Sequence, residues 1–127
     1  MLDTPIIQAC RNNDYESVLA IIDEQSVDDR DEIDQTPLII ASQHGCIEIV
    51  ALLLKYGANI EHQNQQSETA LISAAQEGHT DVVKLLLDAG ADPTRPNSDG
   101  ETALQLVIKY RQKKEIIELL RMNLGIH

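Results

Sequence analysis

The chain has 127 residues, enough for one domain, and contains no Trp, no Phe and three Tyr, so its core must be aliphatic. Its net charge of −11 disfavours nucleic acid and anionic membrane as partners. Two cysteines, Cys10 and Cys46, are too few for a disulfide framework or a metal motif, and no apolar run approaches a membrane span.

One phrase recurs along the chain: Thr4-Pro5-Ile6-Ile7, Thr36-Pro37-Leu38-Ile39, Thr69-Ala70-Leu71-Ile72 and Thr102-Ala103-Leu104-Gln105. The threonines are 32, 33 and 33 residues apart, a fixed spacing that means one small unit stacked on itself. In the first two units Pro5 and Pro37 follow the N-cap Thr, where a missing N–H costs nothing. Tyr15 falls on the second helix of unit one, and Gln25 stands where later units carry Gly57 and Gly90. In unit two Gly45 ends the first helix, and a second helix runs from Cys46 to Tyr56. In unit three the expected helices are 70–77 and 79–89, stopped by Gly78 and Gly90. The runs Leu52-Leu53-Leu54 and Leu85-Leu86-Leu87 need cover on more than one side, which neighbouring units would supply. The stretch from Gly90 to Glu101 is an extended connector with a tight turn at Asn97-Ser98-Asp99-Gly100. The last unit carries one extra residue between its helices and the basic run Arg111-Gln112-Lys113-Lys114, which reads as a capping device.

Helix, turn, helix and extended tip, with Gly78-His79, Val82-Val83-Lys84-Leu85-Leu86-Leu87 and Ala89-Gly90-Ala91-Asp92, resembles the ankyrin repeat family over essentially the whole chain. The resemblance implies an all-α solenoid of four stacked helix-turn-helix units, approximately 1–30, 31–63, 64–96 and 97–127, forming a single domain. The family's His after Thr-Pro-Leu is Ile7, Ile39, Ile72 and Gln105 here, which leaves the hydrogen bonds of that turn open.

No catalytic constellation is visible. His44 and Cys46 are two apart and so on different faces, and His62, His79 and His127 are not at metal spacing. The cluster Asp28, Asp29, Asp31, Glu32 and Asp34 lacks the Gly and terminal Glu of a calcium loop, and reads either as a solvated loop or as a surface aimed at a basic partner. The expectation is a non-enzyme without metal or cofactor. Asp3 leaves no room for a leader, so a cytoplasmic protein with reduced thiols, or one exported unconventionally, is expected.

Partner information must lie where the copies differ. In the ankyrin family the matching positions are commonly the binding ones. The resemblance therefore points to Glu32, Ile33, Gln35, Gln65, Gln66, Glu68, Asp99 and Glu101 on the tips. On the first helices it points to Gln43, His44, Gln76, Glu77 and Tyr110. Ile33 and Tyr110 stand out as apolar or aromatic. Residues 1–101 carry 19 acids and 5 bases, whereas residues 102–127 carry 2 acids and 5 bases. The leading expectation is a stoichiometric binding module, monomeric when free, that masks a basic surface on another protein as inhibitor, immunity factor or assembly chaperone. A self-associating scaffold would instead show an apolar flank at one end. An enzyme or ligand-binding protein would show a deep pocket with convergent polar groups.

Overall fold

The computed structural model describes residues 3–126, so His127 lies outside the described residues. Among the described residues eight helices form four pairs: α1 Pro5–Arg11 with α2 Tyr15–Ile21, α3 Pro37–His44 with α4 Ile47–Lys55, α5 Ala70–Gln76 with α6 Thr80–Asp88, and α7 Ala103–Lys109 with α8 Lys114–Asn123. There is no strand among the described residues. In unit three α5 begins at the expected Ala70 and ends one residue early, and α6 begins and ends one residue inside the expected limits, because Glu77 and Ala89 serve as C-caps and His79 as an N-cap.

The recurring Thr explains where each first helix starts. Oγ1 of Thr36, Thr69 and Thr102 accepts the N–H of Ile39, Ile72 and Gln105 at 3.2–3.3 Å, a contribution of about 1 kcal/mol per cap. Thr4 makes no such bond, and Pro5 fixes the first turn instead. The turn left open by the missing family His resolves in two ways. Ile7, Ile39 and Ile72 are buried in the core. Gln105 reaches back so that its Oε1 accepts Thr102 N–H at 2.9 Å, closing a capping box.

The core is one continuous aliphatic cluster running through all four pairs. First helices meet through small residues, among them Ala41, Ser42, Ser73, Ala74 and Ala75, whereas second helices present Leu and Val. Small side chains let the first helices pack on one another more closely than the second helices do. The stack therefore curves toward the first-helix side, which becomes its concave face.

Two of the three joints between units are locked at one spot by a side chain. After the first helix the chain turns through a left-handed residue: Asn13 (φ 51°), Gly45 (71°), Gly78 (78°) and Arg111 (54°). The side chain that follows in the next unit reaches back over this turn. His79 Nε2 donates to Gln43 O at 2.9 Å, and Gln112 Nε2 donates to Gln76 O. A Cβ on Gly45 would lie 2.5–2.9 Å from three atoms of the His79 ring, so only glycine fits beneath it. At the first joint the corresponding side chain is that of Cys46, and the smaller group leaves a crevice of about 250 Å³ bordered by Asn13, Tyr15 and Cys46. That space is why Asn13 can stand where glycine stands later.

Candidate protein-binding face

The tips are built by one carboxamide or carboxylate per unit. Oδ1 of Asp31 accepts the N–H of Ile33 at 3.0 Å and of Gln35 at 2.8 Å. Asn64 Oδ1 takes Gln66 and Glu68 at 2.9 and 3.0 Å, and Asn97 Oδ1 takes Asp99 and Glu101 at 3.0 and 2.9 Å. Asp34, Ser67 and Gly100 follow with positive φ and bring each tip back toward its helix. Successive tips are tied by backbone bonds, Gln65 N to Ile33 O at 3.1 Å and Ser98 N to Gln66 O at 3.0 Å. The result is a rigid rim beside the concave face.

Most of the expected partner residues are open to solvent on this rim and face. Glu32, Ile33, Gln65, Gln66 and Asp99 are exposed on the tips, and His44, Glu77 and Tyr110 at the ends of the first helices. Gln43, Gln76, Glu68 and Glu101 are half-buried. Tyr110 is 58% exposed, with Lys109 Nζ 5.3 Å from its ring centroid, and Ile33 is 44% exposed. Gln35 is a correction. It is only 5% exposed because its side chain is inserted between tips, with Nε2 on Asp31 Oδ2 at 3.4 Å and Oε1 accepting from Asn64 Nδ2 at 3.5 Å. It holds the rim together and offers a partner nothing. Glu68 and Glu101 are also partly committed, accepting from Asn64 Nδ2 at 3.1 Å and Lys109 Nζ at 3.0 Å. That contact with Glu101, followed by its charge and by Tyr110, pushes the Lys109 ammonium pKa up.

The acidic run after Asp28 is spent largely inside the molecule. Asp28 accepts Asn59 N–H at 2.9 Å, as Glu61 accepts Asp92 N–H at 2.8 Å one unit later. Asp34 pairs with Arg30 at 3.1 Å, and His62 Nε2 lies 2.9 Å from Asp34 O. Asp31 has a side chain only 4% exposed and meets Arg11 Nη2 at 2.5 Å. Burial alone would raise its pKa, but hydrogen bonds from Gln35, Arg11 and Ile33 prevail and hold it below the usual carboxylate range. Sequence reasoning missed Asp31, Asn64 and Asn97 as the builders of the rim. The signal was there, an Asx residue at a fixed place in each unit, 33 residues apart.

No group of three or more His, Cys, Asp or Glu is placed to hold a metal ion among the described residues. Cys10 and Cys46 are buried free thiols. Burial, and then the neighbouring Cys46, push the Cys10 thiol up to about 12, which keeps it protonated and a poor nucleophile at neutral pH. A hollow beside the first tip is open and shallow, about 590 Å³, bounded by Asp3, Arg11, Asp31 and Ile33. No helix among the described residues is long and apolar enough to cross a membrane.

Residues 2–64 and 57–127 match the family described as ankyrin repeats (3 copies). The chain is also 38% identical over 58 residues to "Ankyrin repeat protein nuc-2" of Neurospora crassa, an alignment covering 45% of this chain and 5% of that protein. It therefore spans a small fraction of the length of the relative that it matches. With four helix pairs, two joints locked by a side chain and a rigid variable rim, the chain belongs to the ankyrin repeat family, whose repeats are protein–protein interaction modules.

Proposed function

We propose that this chain acts without catalysis, as a stoichiometric binder whose rim and concave face cover a basic surface on another protein. The observation that carries this reading is a rim rigidified from within, whose outward side chains differ from copy to copy. Asp99 is exposed on the rim and Glu77 at the C-terminal end of α5, and their carboxylates make no hydrogen bond or ion pair with described residues. With residues 1–101 carrying 19 acids against 5 bases, these open carboxylates favour a cationic partner. Tyr110 is the aromatic side chain able to enter a partner pocket. By masking such a surface in the cytoplasm the chain serves as inhibitor, immunity factor or assembly chaperone, the three roles open to a binder without chemistry of its own.

The test is affinity purification with three baits: the natural chain, a concave-face variant carrying Glu77→Lys and Tyr110→Ala, and a back-face variant carrying Lys84→Glu. The expected result is one basic protein held at equal stoichiometry by the natural and back-face baits and lost from the concave-face bait. A partner that tolerates the concave-face changes but is lost with the back-face change would refute the proposed face.

A further inference from the structure

The two ends of the stack expose what its joints bury. In the first unit Pro5, Gln8 and Ile21 are exposed and Ser17 is half-buried, where Pro37, Ile40, Leu53 and Ile49 of the second unit are buried. Together with Asp14 they line a groove of about 310 Å³ along the N-terminal flank of α1 and α2. In the last unit Leu104 is half-buried and Gln105 and Ile108 are exposed, where Leu71, Ile72 and Ala75 are buried one unit earlier. Ile108 is notable for its size. Its counterparts in the inner joints are Cys10, Ser42 and Ala75, yet the open end carries an isoleucine that is 48% exposed. Ile126 is likewise open where Ala91 is buried. One end thus presents a groove, and the other presents projecting apolar side chains.

The charges are complementary in the same sense. Residues 1–30 contain seven acids and two bases, whereas residues 102–127 contain five bases and two acids. Arg111 and Lys113, between α7 and α8, and Lys114, the first residue of α8, are exposed and form no ion pair with described residues. Of the bases in residues 102–127, Lys109 is held by Glu101 at 3.0 Å.

We propose that the C-terminal flank of one copy docks on the N-terminal flank of a second copy, continuing the stack head to tail. The contact extends the same helix-on-helix interface that joins units within the chain. Like faces do not meet, so the association is heterologous and open-ended, and gives short linear oligomers in place of a closed dimer. Gln8, Ser17 and Gln105 put polar groups where the inner joints have apolar ones, which keeps the contact weak, with a Kd on the order of 0.1–1 mM. The rim and concave face lie to the side of both flanks and stay available, so a partner held by each copy would be arrayed along the stack.

Sedimentation velocity over roughly 10 µM to 1 mM protein, spanning that affinity, tests this. The weight-average mass is expected to rise with concentration in ~0.05 M salt and to fall back toward the monomer in ~0.5 M salt, where the Debye length is about threefold shorter. Ile108→Asp and Ile21→Asp should each remain monomeric alone, yet a mixture of the two should form a one-to-one dimer and nothing longer, because each retains the flank that the other lacks. Gln8→Arg, at an exposed position, serves in place of Ile21→Asp if circular dichroism shows that the latter has lost helix. A natural chain that stays monomeric throughout overturns the proposal. So does association unaffected by salt. So does a single-flank variant that still pairs with itself, which would mean that like faces meet.

Discussion

Replacing Gly45 by Ala asks whether the joint between units two and three is locked as described. Two costs are predicted. Gly45 has φ 71°, and an L-residue there is disfavoured by about 1–2 kcal/mol. The new Cβ would also lie 2.5 Å from His79 Nδ1 and 2.7 Å from Cε1, so the ring must move. Moving it endangers the bond from Nε2 to Gln43 O, 2.9 Å long and worth about 0.5–1.5 kcal/mol net. The sum is about 1.5–3.5 kcal/mol. Gly57 is the internal control, because its φ is 82° but a Cβ there meets nothing within 4 Å. Gly57→Ala should therefore cost only the conformational part, about 1–2 kcal/mol.

Urea denaturation of Gly45→Ala, His79→Ala and the double variant completes the cycle. Without the imidazole ring, the methyl group added by Gly45→Ala no longer collides, so the two substitutions should cost about 1 kcal/mol less together than the sum of their separate costs. At a slope of about 1–3 kcal/mol per molar urea, that coupling moves the midpoint by at least about 0.3 M, which is measurable. The chain supplies its own precedent, since Asn13 carries a Cβ in the left-handed turn opposite the smaller Cys46. Additive costs, or Gly45→Ala no worse than Gly57→Ala, would refute the lock.

Other outcomes follow from the same geometry. Leu53→Ala and Leu86→Ala, at fully buried positions, are each expected to lose about 2–5 kcal/mol in denaturant melts. Asp31 has a folded pKa held below its unfolded value of about 3.9, so its contribution is present above that pH and is lost as pH falls through the folded pKa. Asp31→Asn keeps the turn, as Asn64 and Asn97 show, but loses the charged pair with Arg11. Its stability should fall less steeply than the natural chain's below about pH 4. At the binding face, Tyr110→Ala is expected to cost the most affinity, with Glu77→Lys next, and both should leave stability within about 0.5 kcal/mol. The back-face change Glu48→Lys should alter affinity little when titrated by calorimetry against the purified partner. Association with that partner should slow as salt rises from ~0.05 to ~0.5 M, and rates equal at both would remove electrostatic steering from the mechanism.

The repeat was legible because a stacked unit must satisfy the same local rules each time. A cap at Thr36, Thr69 and Thr102, small residues on first helices and Leu on second helices are all dictated by packing, so they recur and can be counted. What did not recur was harder to read. The roles of Gln35, Gln105 and Gln112 depend on what stands one unit away, and spacing within one unit carries no record of that. Gln112 and His79 do the same work with different chemistry, so periodicity scores them as unrelated. Charge misled in a similar way. The run from Asp28 to Asp34 is the densest acidic stretch and reads either as a solvated loop or as a surface for a basic partner, yet Asp28, Asp31 and Asp34 are occupied by Asn59, Arg11 and Arg30. Among the acids expected to meet a partner, Glu77 and Asp99 are those whose carboxylates make no hydrogen bond or ion pair with described residues, whereas Glu68 and Glu101 are engaged. A carboxylate's availability is set by the donors that the fold brings to it, and in a stacked chain those donors come from the next unit. In the run from Asp28 to Asp34 acid density therefore marks where the rim is braced, and under the proposed function the partner is met by carboxylates that the fold leaves without donors.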